Sequence, residues 1–212
     1  MYTPRHFAET DLTALDALFA RDAFATLVST VDGAPYASHL PVLYQRDGER
    51  IDVRGHWARA NPQWQTIAGQ TVLMIVHGPH AYISPTWYAN PSEQVPTWNY
   101  AVAHLYGEIH LVEGTALQDI VATLAAHYET GIGSDWRFPD SAPGEIAALR
   151  GIVGFRFDVQ HAELKFKLNQ HHPEANVRGA IAGLRAQGDE NAIATAALMQ
   201  DRFDRRATRE SP

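Results

Sequence analysis

The sequence predicts an antiparallel β-barrel with helical additions. About six short β-rich segments follow one another at close spacing, and turn signals separate them. Helical periodicity occurs at only a few separate points. The regular β-α-β alternation of a parallel sheet does not occur.

The elements read in order as follows. DLTALDALF forms a first helix, capped by Asp11, with Leu12, Leu15, Leu18 and Phe19 as its apolar stripe. FATLVSTV (Phe24 to Val31) is a strand that stops at the Asp32-Gly33 turn. YASHLPVLY (Tyr36 to Tyr44), a polar turn at Arg46 to Glu49 and IDVRG continue an antiparallel meander. TVLMIV (Thr71 to Val76) is continuously apolar, as a central strand is. AVAHLYGEIHLVE alternates through Leu105, Gly107, Ile109 and Leu111.

Thr115 opens a helix with Gln118 completing a capping box and Gly131 ending it. Leu117, Ile120, Val121, Leu124 and Tyr128 give it one apolar face. IVGFRFDV and HAELKFKL alternate again, and the second puts Glu163, Lys165 and Lys167 on one face. From Pro173 the chain reads as one or two helices, with Ile181 and Leu184 on one side and Asp189 as a cap. The expected division is a barrel domain over 1–170 and a helical extension over 171–212, packed on the barrel or on a partner subunit.

Composition narrows the function. The 212 residues are 45% apolar, enough for a real core, and no run approaches the ~20 apolar residues of a membrane-spanning helix. The start lacks a signal-peptide layout, and the absence of cysteine excludes disulfides, thiolate catalysis and cysteine-held metals. Both fit a cytoplasmic protein with no membrane partner. The net charge of −7 opposes a broad DNA-binding face, and the arginines of RFDRRATR are the one basic cluster. Eleven histidines invite a metal reading, but His77-x-x-His80 and His171-His172 lack the helix and nearby carboxylate such a site needs, so no metal is expected. Gly131-Ile-Gly133 is too short for a dinucleotide fingerprint.

Chemistry concentrates between His39 and Tyr100, which hold four of the five tryptophans. His39-Leu40-Pro41, GHWARANPQW (Gly55 to Trp64), GPHAYISPTWY (Gly78 to Tyr88) and VPTWNY (Val95 to Tyr100) stand out. On residue type alone, Arg59 with Asn61-Pro62 makes an ion pair and a turn. Trp57, Trp64 and Trp87 are core or interface residues, and Lys165 and Lys167 form a solvated face.

These blocks, with MYTPRHF at the start and KFKLNQ (Lys165 to Gln170) near the end, resemble the signature blocks of the PaiB family, named as FMN-binding negative transcriptional regulators. The similarity runs in order along nearly the whole chain. It departs after KFKL, where Asn169 and His171 stand in place of the family's serine and asparagine.

The resemblance implies an FMN-binding split barrel, related to pyridoxamine-phosphate oxidases and flavin reductases, that binds FMN between two subunits of a homodimer. It assigns the flavin phosphate to Arg59, with His56 and Asn61 in support. Arginine suits a phosphate dianion because its planar fork donates paired, charge-assisted hydrogen bonds. It gives Trp98, Asn99 and Tyr100 an aromatic wall and polar edge for the ring, and Thr97 the ring or the ribityl chain. His39 and Pro41 face the same pocket. Lys165 and Lys167 gain an anion-site reading, at the phosphate end of the partner subunit's flavin, and Gln170 a cofactor-binding one. No catalytic side chain is implied, since flavin carries the electron chemistry itself.

Three functions follow: an FMN-binding repressor acting on DNA, an NAD(P)H-dependent flavin oxidoreductase, and a flavin- or haem-related binding module without turnover.

Overall fold

The computed structural model describes residues 1–142 and 146–210, with side chains described as far as Arg205. Seven strands make the sheet: β1 (Ala8–Glu9), β2 (Phe24–Val31), β3 (Ala34–Asp47), β4 (Arg50–Ala58), β5 (Val72–Ile83), β6 (Thr97–Val112) and β7 (Ile152–Lys167). The helices are α1 (Thr13–Arg21), α2 (Gln63–Thr66), α3 (Gly114–Gly131), α4 (Glu174–Gln187) and α5 (Glu190–Glu210). Strand order is β1-β7-β4-β3-β2-β5-β6, and a further β7–β6 pairing closes β2 to β7 into a barrel. The registers of β1–β7, β2–β3, β2–β5, β3–β4 and β4–β7 are antiparallel throughout. The expected mixed β-barrel with helices is the fold.

The chain forms two compact units. The first comprises 1–14, 77–103 and 163–212, and the second comprises 15–76 and 104–162. The long strands β5, β6 and β7 each contribute to both.

In the second unit, alternation builds the core directly. β4 buries Ile51, Val53, Gly55 and Trp57 on one side. The Trp57 ring packs on Phe155 with centroids 4.5 Å apart. Gly107 lies where a Cβ would stand 2.0 Å from the Asp158 carbonyl oxygen, so only glycine allows that approach.

The turn after β4 is organised by one amide. Gln63 is fully buried, and its Oε1 accepts from Trp57 Nε1 at 3.0 Å. Its Nε2 donates to the carbonyls of Leu27 (3.1 Å) and Tyr36 (3.2 Å) and to Ser29 Oγ (3.0 Å). Asn61 completes the turn: its Oδ1 accepts from Gln63 N at 2.9 Å and its Nδ2 donates to Ser38 Oγ at 2.8 Å. Helix α1 is fixed by Asp16, which accepts from Tyr44 Oη at 2.6 Å and from Arg46 through both Nε and Nη2. Phe19 stacks on Tyr44 at 4.1 Å. Burial and the Asp16 carboxylate push the Tyr44 hydroxyl pKa well up.

In the first unit, α4 carries Gly179 and Gly183 one turn apart. A Cβ on either would meet Trp87, at 2.0 Å from its carbonyl oxygen and 2.3 Å from its ring. Trp87 is therefore a packing residue seated in a glycine notch. Trp57 is likewise core, as expected.

One local expectation is corrected. The Thr115–Gln118 capping box does not form: α3 starts at Gly114 after an uncapped Glu113, and Gln118 Nε2 donates instead to the Ser141 carbonyl at 2.9 Å. β6 begins at Thr97, ahead of the AVAHLYGEIHLVE strand read from the sequence, and so takes in the TWNY block. The Asp11 and Asp189 caps do form, bonding Thr13 N and Ala192 N at 2.9 Å each.

The Gln63 amide generates a prediction. Gln63→Leu keeps the volume but strands the Trp57 N–H and two carbonyls, at a cost of about 1–3 kcal/mol per buried unpaired group. Thermal unfolding should shift down by several degrees, whereas Gln65→Leu, at an exposed position of the same short helix, should leave it within error.

Candidate functional site

The first unit contains an aromatic pocket of about 540 Å3 lined by His77, His80, Trp98, Tyr100, Ala101 and Val102. Its geometry follows from β5. Gly78 and Pro79 are both buried, so the in-out alternation slips by one residue. His77, His80 and Tyr82 are consequently all exposed. Trp98, 54% exposed, meets the His80 and Tyr82 rings at 6.3 and 6.1 Å. An exposed tryptophan among other rings is the kind of surface a flat heterocycle stacks on.

The two lysines of β7 lie beside the same strand. Lys165 is only 8% exposed. Its Nζ donates to the Tyr2 carbonyl at 3.0 Å and lies 5.6 Å from the Tyr2 ring and 5.3 Å from the Tyr100 ring. Lys167 Nζ donates to Thr97 Oγ1. Among the described residues neither lysine meets a carboxylate. Burial holds the Lys167 pKa below the usual lysine range, and the Lys165 charge adds to the effect while Tyr100 opposes it. A desolvated cation without a counter-ion is costly, and a bound anion removes that cost.

Asn99 points the other way. It is fully buried, its Nδ2 reaches Met199 Sδ at 3.2 Å, and its Oδ1 has no partner among the described residues. Gln170 closes the turn after β7, accepting from Leu168 N at 2.7 Å and donating to the Phe166 carbonyl. The neighbouring Asn169 adopts a left-handed φ of 62° and donates to Tyr88 Oη at 3.0 Å.

The second unit holds the remaining candidates. Arg59 follows β4 directly. Its backbone N–H donates to the Gly151 carbonyl (2.7 Å), its Nε to Arg150 O (2.7 Å) and its Nη2 to Ile152 O (2.9 Å). Trp64 lies under the guanidinium and donates its Nε1 to the Arg59 carbonyl. The fork is thus fixed in direction, and Nη1 remains for a ligand. His56 is half-buried with Nδ1 buried and unpartnered among the described residues, and burial lowers its pKa. A neutral imidazole with an unused ring nitrogen is a ready hydrogen-bond partner for a ligand. Asn61, in contrast, spends both ends of its amide on the turn. His39 is exposed, its Nδ1 is 3.0 Å from Thr26 Oγ1, and the Phe24 ring lies beside it at 6.3 Å. Pro41 is half-buried opposite Phe24.

The sequence reading set Thr97, Trp98, Asn99 and Tyr100 at the ring and Lys165 and Lys167 at the phosphate end of a partner's flavin; in the structure both lysines lie beside Thr97 and Tyr100 of the same chain. It missed His77, His80, Tyr82 and Tyr2 as members of that place. Gly78-Pro79 was the available signal, since proline inside a strand marks an interrupted ladder. Among the described residues no three His, Asp or Glu side chains are grouped for a metal ion, and no helix is long and apolar enough to cross a membrane.

Residues 1–161 match the family described as "Putative FMN-binding domain". The chain is 34% identical over 205 residues to protease synthase and sporulation protein PAI 2 of Bacillus subtilis, covering 96% of this chain and 98% of that protein. It is 26% identical to an uncharacterized protein of Emericella nidulans, covering 95% and 97%. Among solved structures, the flavocytochrome Anf3 of Azotobacter vinelandii superposes with a TM-score of 0.57 at 16% identity, covering 78% of this chain and 72% of that one. The FAD and heme binding protein of Mycobacterium smegmatis gives 0.54 at 17% identity, covering 76% and 73%. At these identities the structural likeness establishes the split-barrel fold. The family match establishes the cofactor class: the chain belongs to the PaiB family of FMN-binding proteins.

Proposed function

We propose that this chain is an FMN-binding homodimer of the PaiB type that acts as a negative transcriptional regulator, with flavin occupancy as the property it reports. The observation that carries the reading is the pair Lys165 and Lys167, desolvated, without carboxylates, and set against the Trp98–Tyr100 wall. That combination suits an aromatic ligand with an electron-rich or anionic edge. FMN bound there supplies two-electron redox chemistry.

The chain's own residues take separate tasks. Arg59 offers Nη1, with its fork pre-aimed by two backbone carbonyls, to the phosphate, and His56 offers its unused nitrogen. Trp98 and Tyr100 receive the ring. Lys165, Lys167 and Thr97 set the charge at the ring's edge, where a cation raises the affinity for electrons. His39, Pro41, Asn61, Asn99 and Gln170 support rather than touch: Asn61 and Gln170 hold turns, and Asn99 holds Met199.

A flavin oxidoreductase is the second reading. What favours it is the pair of exposed imidazoles, His77 and His80, on the pocket wall, where a proton donor for a reducible substrate would stand. Bleaching of the bound flavin by NADPH, followed by turnover of an acceptor, would put that reading first.

The phosphate and ring assignments separate experimentally. Arg59→Ala should weaken FMN binding by about tenfold to a hundredfold and leave riboflavin nearly untouched, because a charge-assisted hydrogen bond contributes about 1.5–3 kcal/mol. Lys167→Met should weaken both flavins alike. Equal losses of the two flavins in Arg59→Ala would remove the phosphate role from that residue. Light scattering should return twice the 23.5 kDa chain mass; a monomer that binds FMN tightly would defeat the dimer.

DNA binding by the isolated protein should be weak at physiological salt. The chain carries −7 overall, and the described arginines of its basic cluster are already paired, Arg202 with Glu9 and Arg205 with Asp201. The cluster's remaining arginines lie beyond the described side chains. Few free cations mean few released counterions and a shallow salt slope. Anisotropy titrations at two salt concentrations, on random DNA and on the gene's own upstream region, check this. Nanomolar, sequence-selective binding would show direct repression and overturn the expectation.

A further inference from the structure

The first unit contains a second cavity, of about 590 Å3, that the flavin reading does not use. It lies among the N-terminal segment around β1, the turn after β7, and helices α4 and α5. Its apolar floor comes from Leu168, Val177, Met199 and Phe203. Its charged rim comes from Glu9, Asp11, Glu174, Arg202 and Arg205, and Glu174 is exposed and accepts from Arg178 Nε through Oε1 at 2.7 Å. The volume falls within the range of small-molecule sites.

The hydrogen-bonding capacity left at that rim is one-sided. Glu9 is already saturated: Oε1 accepts from Thr10 N at 2.8 Å and Asp11 N at 3.0 Å, and Oε2 accepts from Arg202 Nη1 at 2.6 Å. Its side chain is 13% exposed, so the pair with Arg202 is largely removed from water. Asp11 is engaged in capping α1. The arginines keep donors in hand. Arg202 bonds through Nη1, and Arg205 bonds to Asp201 through Nε, which among the described residues leaves Nη2 of Arg202 and both Nη groups of Arg205. Residues 202 and 205 are three apart on α5 and so share one side of it.

His172 borders the cavity as well. It stacks on Tyr88 at 5.1 Å, and burial together with the Lys167 charge holds its pKa below the usual histidine range. Donors left on the rim, carboxylates each engaged with a partner and an apolar floor together favour one ligand chemistry.

We infer that this cavity binds a small organic carboxylate with an apolar body. The carboxylate accepts from the free ends of Arg202 and Arg205, and the body rests on Leu168, Val177 and Met199. A cation with the same body finds no open acceptor in Glu9. Occupancy would tie the N-terminal segment to α5, and the site stands or falls independently of FMN.

The test uses the full-length flavin-loaded protein and three probes of similar size: phenylacetate, indole-3-acetate and phenethylamine. Calorimetry should show both carboxylates binding in the millimolar range or tighter, with phenethylamine silent. Arg205→Gln alters an exposed side chain. It should cut carboxylate affinity about tenfold, by loss of a charge-assisted hydrogen bond, without moving FMN affinity or the melting temperature. Ala8→Trp, at an exposed rim position of β1, should block both carboxylates by filling the cavity. No carboxylate binding, binding of phenethylamine as strong as that of phenylacetate, or undiminished affinity in Arg205→Gln would each overturn the inference.

Discussion

A single primary amide organises the segment on which the flavin-phosphate assignment depends. Gln63 is polar, fully buried and bonded to three strands at once: Trp57 on β4, Leu27 and Ser29 on β2, and Tyr36 on β3. A buried amide in a β core is tolerable only when every polar atom is satisfied, and here each is. The consequence reaches the ligand. Because Gln63 fixes the turn, Asn61 and Arg59 follow with little freedom, and the Arg59 fork is then held by the 150 and 152 carbonyls. Affinity gains from such preorganisation because the side chain has little entropy left to lose on binding.

Elsewhere the chain pairs its buried or half-buried cations. Arg46 meets Asp16, Arg202 meets Glu9, and Arg156 lies beside Asp52. Lys165 and Lys167 break that habit. They sit next to one another on β7, satisfied by a carbonyl, a hydroxyl and aromatic faces, none of which carries a full negative charge. Such an arrangement costs stability in the folded protein, which makes the pair the candidate place for a ligand to complete the electrostatics. The contrast between paired and unpaired cations argues more strongly for a site than any count of aromatic residues nearby.

Much of this was legible in the sequence. The barrel followed from strand spacing, because alternation and the Asp32-Gly33 turn are local signals. The Asp11 and Asp189 caps, and Trp57 as core, were readable for the same reason. What escaped was non-local. The capping box at Thr115 fits its pattern, yet Gln118 reaches the Ser141 carbonyl instead, a choice set by a loop more than twenty residues away. The alternation read from Ala101 onward did not show that β6 starts at Thr97, because pairing with neighbouring strands extends it through TWNY. Asn99 reads as a polar edge for a ring, and only the phase of β6 shows that it faces Met199. His77 and His80 were weighed as metal ligands, the role their spacing suggests, when their exposure side by side came from a slip in β5.

That slip at Gly78-Pro79 sets the phase of everything downstream on its strand. A β-strand has only two faces, so every residue after the slip has its inside and outside exchanged relative to uninterrupted alternation. Tyr82 and His80 reach solvent, and Ala81 and Ile83 reach the core, because two consecutive residues turn inward just before them. The dipeptide therefore works as a parity switch. Regular alternation at the same chain length would send the aromatic face inward and the aliphatic face outward. Deleting one residue of the pair would instead restore regular alternation and leave His80 and Tyr82 outside and Ala81 and Ile83 inside. Geometry at this point therefore constrains parity: the extra residue is absorbed by two consecutive inward positions, and the faces downstream keep their places only because of it.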